Sequence, residues 1–143
     1  MQVGLYSKLA RRNVNAARAL IAERGFRPIP EDIRRCREEI LAAADGTLLK
    51  SASTFSDFFT TNECRDLIFH VQEHQMTLPQ IKAFLADNGV QFTGFVLGAA
   101  TQRQFSARFP EPGALLDLDR WHAFETAAPA TFAKMYQFFV RKP

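Results

Sequence analysis

The sequence predicts a helix-rich α/β chain with three short strands, and three observations carry that prediction. Apolar, β-type runs sit at both ends, Gln2–Tyr6 (QVGLY) and Met135–Val140 (MYQFFV). Between them apolar residues recur at helical spacing, in segments bounded by cap residues, Gly or Pro. The third observation is the most informative stretch of the chain, His70–Leu97, HVQEHQMTLPQIKAFLADNGVQFTGFVL. It reads as a polar, His-bearing loop, a capped short helix, a Gly stop and a strand.

Each element has a local reason. Gln2–Tyr6 is a strand at the very start of the chain, and native domains rarely start on a buried strand with no lead-in. Ser7 is a candidate cap for a helix whose stripe is Ala10, Val14, Ala17, Leu20 and Ile21, stopped by Gly25. Pro30 suits the first turn of a second helix, with Glu31 and Asp32 at its positive end. Ile33, Cys36, Ile40 and Leu41 form its inner face, and Asp45-Gly46 ends it. Phe55, Phe58 and Phe59 belong to a loop or short helix that pins aromatics into the core. Thr60 and Glu63 have capping-box spacing ahead of Cys64, Leu67, Ile68 and Val71. Thr77 and Gln80 repeat that spacing ahead of Leu78, Ile81, Phe84 and Leu85, and Gly89 is the stop. Val90–Leu97 is a strand, with Gly94 marking a bulge or a close backbone approach. Thr101 is a candidate cap for a helix through Phe109. Asp117 or Asp119 starts another, with Trp121 and Phe124 inward. Pro129–Lys134 is one more helical turn before Met135–Val140.

At 143 residues the chain fits a single domain, 1–143, long enough to bury a core. Hydrophobic residues at 47% argue against disorder. Fourteen Phe against two Tyr and one Trp make that core aromatic and dry. The formal charge of +3 is uneven, since residues 1–50 carry ten Lys and Arg against six Asp and Glu. A basic half favours an anionic partner. These arginines alternate with acids at helical spacing, which is the pattern of a solvated helix face. They also lack the aromatic interleaving and clustered basic face of a nucleic-acid binder, so no nucleic-acid partner is expected. Cys36 and Cys64 are too few and too far apart for a disulfide framework or a zinc site. Arg34, Arg35 and Arg37 around Cys36 are placed to lower its pKa, against the simpler reading of a semi-buried thiol. There is no signal-peptide pattern and no apolar run near ~20 residues, so a cytoplasmic protein off the membrane is expected.

No complete catalytic motif is present. A Gly-rich phosphate loop and GxGxxG are both missing. His70 and His74 are spaced i, i+4, yet the order HVQEH puts Glu73 where HExxH does not want it. A third metal ligand has to come from Asp66 or His122, and no metal site is expected. The pair has two other readings: a hydrogen-bonded turn, or polar residues in a cleft where a His acts as general base near neutral pH. Tyr6 ends the first strand, and in open α/β sheets that end faces the ligand crevice. Packing is an equally good account of Tyr6. Trp121-His122 reads as core plus rim, and the Asp117/Asp119 pair as a cap.

Four segments together resemble the carboxy-terminal part of a bacterial class I S-adenosylmethionine-dependent methyltransferase, of the type fused to tetratricopeptide repeats. They are MQVGLYSKLAR, CRDLIFHVQEHQMTLPQIKAFLADNGVQFTGF, FSARFP with the following DLDRWHAFE, and MYQFFVRK. The resemblance implies a partial α/β fold: a small three-stranded mixed sheet in which Gln2–Tyr6, Met135–Val140 and Val90–Leu97 stand for strands 5, 7 and 6, strand 7 being antiparallel. Residues 8–76 then form a helical insertion on the substrate side. It makes His70, His74 and Tyr6 the candidate lining of the acceptor cleft.

The family's cofactor site belongs to strands 1 to 4, and none of its motifs occurs here. The resemblance therefore implies a substrate-side portion that binds no cofactor alone, with S-adenosylmethionine expected only for a complete parent enzyme. A truncated reading frame, an excised piece and a subunit with a separately encoded partner all fit. Such a portion bares the edge of strand 2–6. Its expected partners are the missing methyltransferase half or further copies of the chain. The alternative is a non-catalytic interaction or oligomerisation module.

Overall fold

In the computed structural model, which describes residues 1–70 and 72–143, the chain begins and ends on strands that pair with one another. The elements are β1 (Gln2–Ser7), α1 (Arg12–Arg24), α2 (Pro30–Ala42), α3 (Leu48–Ser51) and α4 (Thr61–Cys64), which runs on as a π-type turn over Arg65–Phe69. Then come β2 (Gln75–Met76), α5 (Leu78–Asp87), β3 (Gln91–Phe95), α6 (Ala99–Arg108), α7 (Leu118–Ala127) and β4 (Tyr136–Arg141). They divide into two compact units: residues 1–10 with 74–143, and residues 11–73.

The first unit is built on a mixed sheet of order β2-β1-β4-β3. β4 lies antiparallel between β1 and β3, and β2 runs parallel to β1. The sheet thus has four strands where the sequence predicted three. β2 pairs only as Tyr6 with Gln75 and Ser7 with Met76, too short to leave a period-2 pattern. Burial alternates strictly along β4, with Tyr136, Phe138 and Val140 inward and Gln137, Phe139 and Arg141 outward. Directly opposed residues share a face, so Val3 and Leu5 join that inner side with Phe92 and Phe95. The register shifts between Phe92 and Gly94, where Gly94 adopts φ 138°, a conformation L side chains rarely take.

Helices α5 and α7 cover the inner face. The expected capping box starts α5: the Thr77 N–H donates to Gln80 Oε1 at 2.9 Å, and the Gln80 N–H to Thr77 Oγ1 at 3.4 Å. Leu78, Ile81 and Leu85 are buried, but Phe84, predicted on the same stripe, is 58% exposed. Asp117 caps α7, accepting from the N–H groups of Asp119 and Arg120. Trp121 stacks on Phe105 with ring centroids 3.6 Å apart, and Phe95 meets its face edge-on at 5.3 Å. α6 starts at Ala99 behind Gly98, so Thr101 lies inside the helix and caps nothing.

The second unit is helical. Val14, Ala17, Leu20, Ile33, Cys36, Ile40, Phe58, Cys64, Leu67 and Ile68 form its core. Gly25 closes α1 at φ 67°, and Pro30 opens α2. α1 begins at Arg12, later than predicted, with no side-chain cap. Leu41 and Phe59, predicted inward, are exposed, while their neighbours Ile40 and Phe58 are fully buried. Val71, predicted inward, lies outside the described residues.

Candidate functional site

The polar centre of the sheet unit lies where β1 ends, at residues the sequence reading did not assign to a site. Ser7 donates its hydroxyl to Glu125 Oε1 in a short hydrogen bond, and Tyr136 donates to Glu125 Oε2 at 2.7 Å. Ser7 Oγ also accepts the N–H of Ala10 at 3.0 Å, which closes the turn before α1 and does not cap the helix as predicted. All three side chains are buried, and Glu125 is 0% exposed. Burial pushes the Glu125 carboxyl above the usual carboxylate range, and the two hydroxyl donors only partly offset this. Burial, reinforced by the carboxyl, raises the Tyr136 phenol as well. The result is a dry clamp joining the end of β1, the last turn of α7 and the start of β4. It fixes where β1 delivers Tyr6.

Tyr6 is half-buried, and its N–H donates to the carbonyl of His74 at 3.2 Å. The structure thus brings two of the three predicted site residues together through main chain, with the His74 side chain exposed. His70 is exposed too and belongs to residues 11–73, the other unit. There Glu73 is ion-paired with Arg18 at 3.1 Å and Arg11 at 3.4 Å, which makes it a tie between α1 and the segment before β2. Among the described residues, no group of three His, Cys, Asp or Glu is placed to hold a metal ion. His122 is half-buried, and its Nδ1 is buried without a hydrogen-bond partner among the described residues.

The sheet unit also carries a cleft of about 670 Å³ beyond the end of β3. Phe95 and Trp121 form apolar wall, and Thr93, Gln102, Ser106 and Glu111 add polar groups. Glu111 is ion-paired with Arg120. The cleft offers a mainly apolar ligand aromatic contact and a few hydrogen-bonding groups. Sequence reading missed this cleft because its walls come from β3, α6, the 109–116 turn and α7, none of which is distinctive alone.

The two thiols decide between the readings offered for Cys36, in favour of burial. Cys36 and Cys64 are fully buried. Burial pushes Cys36 up to about 12, with smaller contributions from Cys64 and Glu39, and Cys64 up to about 11. Arg37 offsets burial only in part at Cys64, and neither thiol is an activated nucleophile. Both thiols are therefore expected to stay unlabelled by a thiol-disulfide reagent at pH 8 until the helical unit is unfolded. Rapid labelling of either in the native protein contradicts this burial.

A scan against protein-family models and a search of curated proteins find no match to this chain. Among the described residues, no helix is long and apolar enough to cross a membrane.

Proposed function

We propose that this chain is the C-terminal, substrate-side portion of an S-adenosylmethionine-dependent methyltransferase and is inactive alone. One observation carries the reading. β1, β4 and β3 lie side by side in that order, with β4 antiparallel between two strands that run the same way. That is the 5-7-6 arrangement which the resemblance implies for these segments. On this reading residues 8–76 are the insertion after strand 5, with residues 11–73 its helical unit, and α5 is the helix before strand 6. Tyr6 and His74 mark the acceptor side, and His70 is a third candidate there. The methyl donor is held by strands that this sheet does not contain.

Calorimetry with S-adenosylmethionine tests the reading. No binding heat is expected from this chain alone. Saturable micromolar binding contradicts the placement of the cofactor site outside it.

A second reading, a non-catalytic homo-oligomerisation module, is favoured by a different observation. The sheet face opposite α5 and α7 exposes Phe139 (48%) and Val96 (44%), and β2 covers only one end of the β1 edge. Light scattering that finds more than one copy per particle supports it.

A further inference from the structure

We infer that the open edge of β1 pairs with the same edge of a second copy of this chain, antiparallel and centred on Val3. The inference rests on the oligomerisation reading and gives it a register.

The backbone directions come from two hydrogen-bond sets. Met1 and Val140 exchange N–H···O=C bonds of 2.7 and 2.9 Å, so Met1, Val3 and Leu5 turn their peptide groups toward β4. Gln2, Gly4 and Tyr6 turn theirs away. Tyr6 is answered by the His74 carbonyl, and Lys8 beyond it by Met76. Gln2 and Gly4 are exposed, and β2 does not reach them.

Two outward residues flanking one inward residue form a self-complementary edge. A two-fold axis through Val3 sets Gln2 opposite the partner's Gly4, and Gly4 opposite the partner's Gln2. Both are hydrogen-bonded pairs, so four N–H···O=C bonds form and every open group on both copies is used. The contact is isologous and closes at two. Gln2–Tyr6 contains no charge, no Pro and no bulge, the devices that blunt edges; the other end of the sheet has its bulge at Gly94. A second copy therefore meets no like charge along the strand.

The side chains agree. Val3 and Leu5 line an apolar groove of about 300 Å³ with Met1, Met76 and Phe84. Phe84 is 58% exposed and Met1 82%. Pairing at Val3 sets the two grooves against each other across the axis, which gives the misplaced Phe84 an apolar neighbourhood.

Light scattering over a dilution series, combined with cysteine cross-linking, tests this. Val3 faces the partner's Val3 in a non-hydrogen-bonded pair, with Cα atoms about 4.5 Å apart, within disulfide reach. Gln2 and the partner's Gln2 are diagonal, about 8 Å apart, beyond it. Cys36 and Cys64 are buried and do not compete. Mild oxidation is expected to convert Val3→Cys to a covalent dimer and to leave Gln2→Cys uncross-linked. Gly4→Pro removes one outward N–H per copy without touching the β4 ladder, and is expected to weaken dimerisation at least tenfold. A dimer that Val3→Cys fails to lock overturns the register and leaves the oligomerisation reading standing. A monomer at every concentration overturns both.

Discussion

Replacing Glu125 with Ala is expected to destabilise the sheet unit by about 3 kcal/mol. The change leaves the buried hydroxyls of Ser7 and Tyr136 without their acceptor and opens a cavity among three elements. Glu125→Gln keeps the shape and one acceptor, so it costs much less. The two variants differ again in pH dependence. The Glu125 carboxyl is held above its ordinary value of 4.5, so the folded protein keeps this proton at pH values where the unfolded chain has released it. Stability from this group is therefore full below about pH 4.5 and is lost as pH rises through the raised value. Glu125→Gln carries no such proton and gains on the parent protein as pH rises. Trp121 is the chain's single Trp and sits in this unit, so urea unfolding followed by its fluorescence reads the effect directly. A parent-to-Gln difference that does not change with pH contradicts the raised carboxyl.

Trp121→Ala is expected to cost the sheet unit about 3–5 kcal/mol, the range for removing a large buried aromatic ring. The side chain is 1% exposed, stacks on Phe105, takes Phe95 edge-on and donates its Nε1–H to the Leu115 carbonyl at 3.0 Å. Phe105, Phe95 and the 114–116 turn all lose their common neighbour, and the cleft beside β3 loses a wall. Circular dichroism during urea unfolding checks this. A loss below about 1 kcal/mol contradicts the packing described for this core.

What could be read from the sequence was local. The Thr60 N-cap, the Thr77 capping box, the Asp117 cap, Gly25 and Pro30 each act within a few residues, and each appears where its spacing placed it. The three long strands were legible because each buries one face and so alternates. What failed needed a neighbour. β2 is a strand only because Tyr6 and Lys8 have N–H groups to donate there. Phe84 fits a helical stripe, yet α5 packs through Leu78, Ile81 and Leu85 alone. For Cys36 the buried-thiol reading holds, and the adjacent arginines do not decide its pKa. Of the candidate site residues, Tyr6 and His74 meet through main chain at the end of β1, a contact that no spacing in the sequence shows. Glu125 had a visible signal that went unread: it falls on the inward stripe of Leu118 and Trp121, where an acid needs partners. Its partners, 118 residues before it and 11 after, could come only from the fold.

The most direct test of the methyltransferase reading is the DNA on the 5′ side of the Met1 codon. The account predicts, in frame or in the adjoining gene, the strands and Gly-rich loop of a cofactor-binding half. A stop codon directly upstream, with no such segment in the adjoining gene, contradicts it.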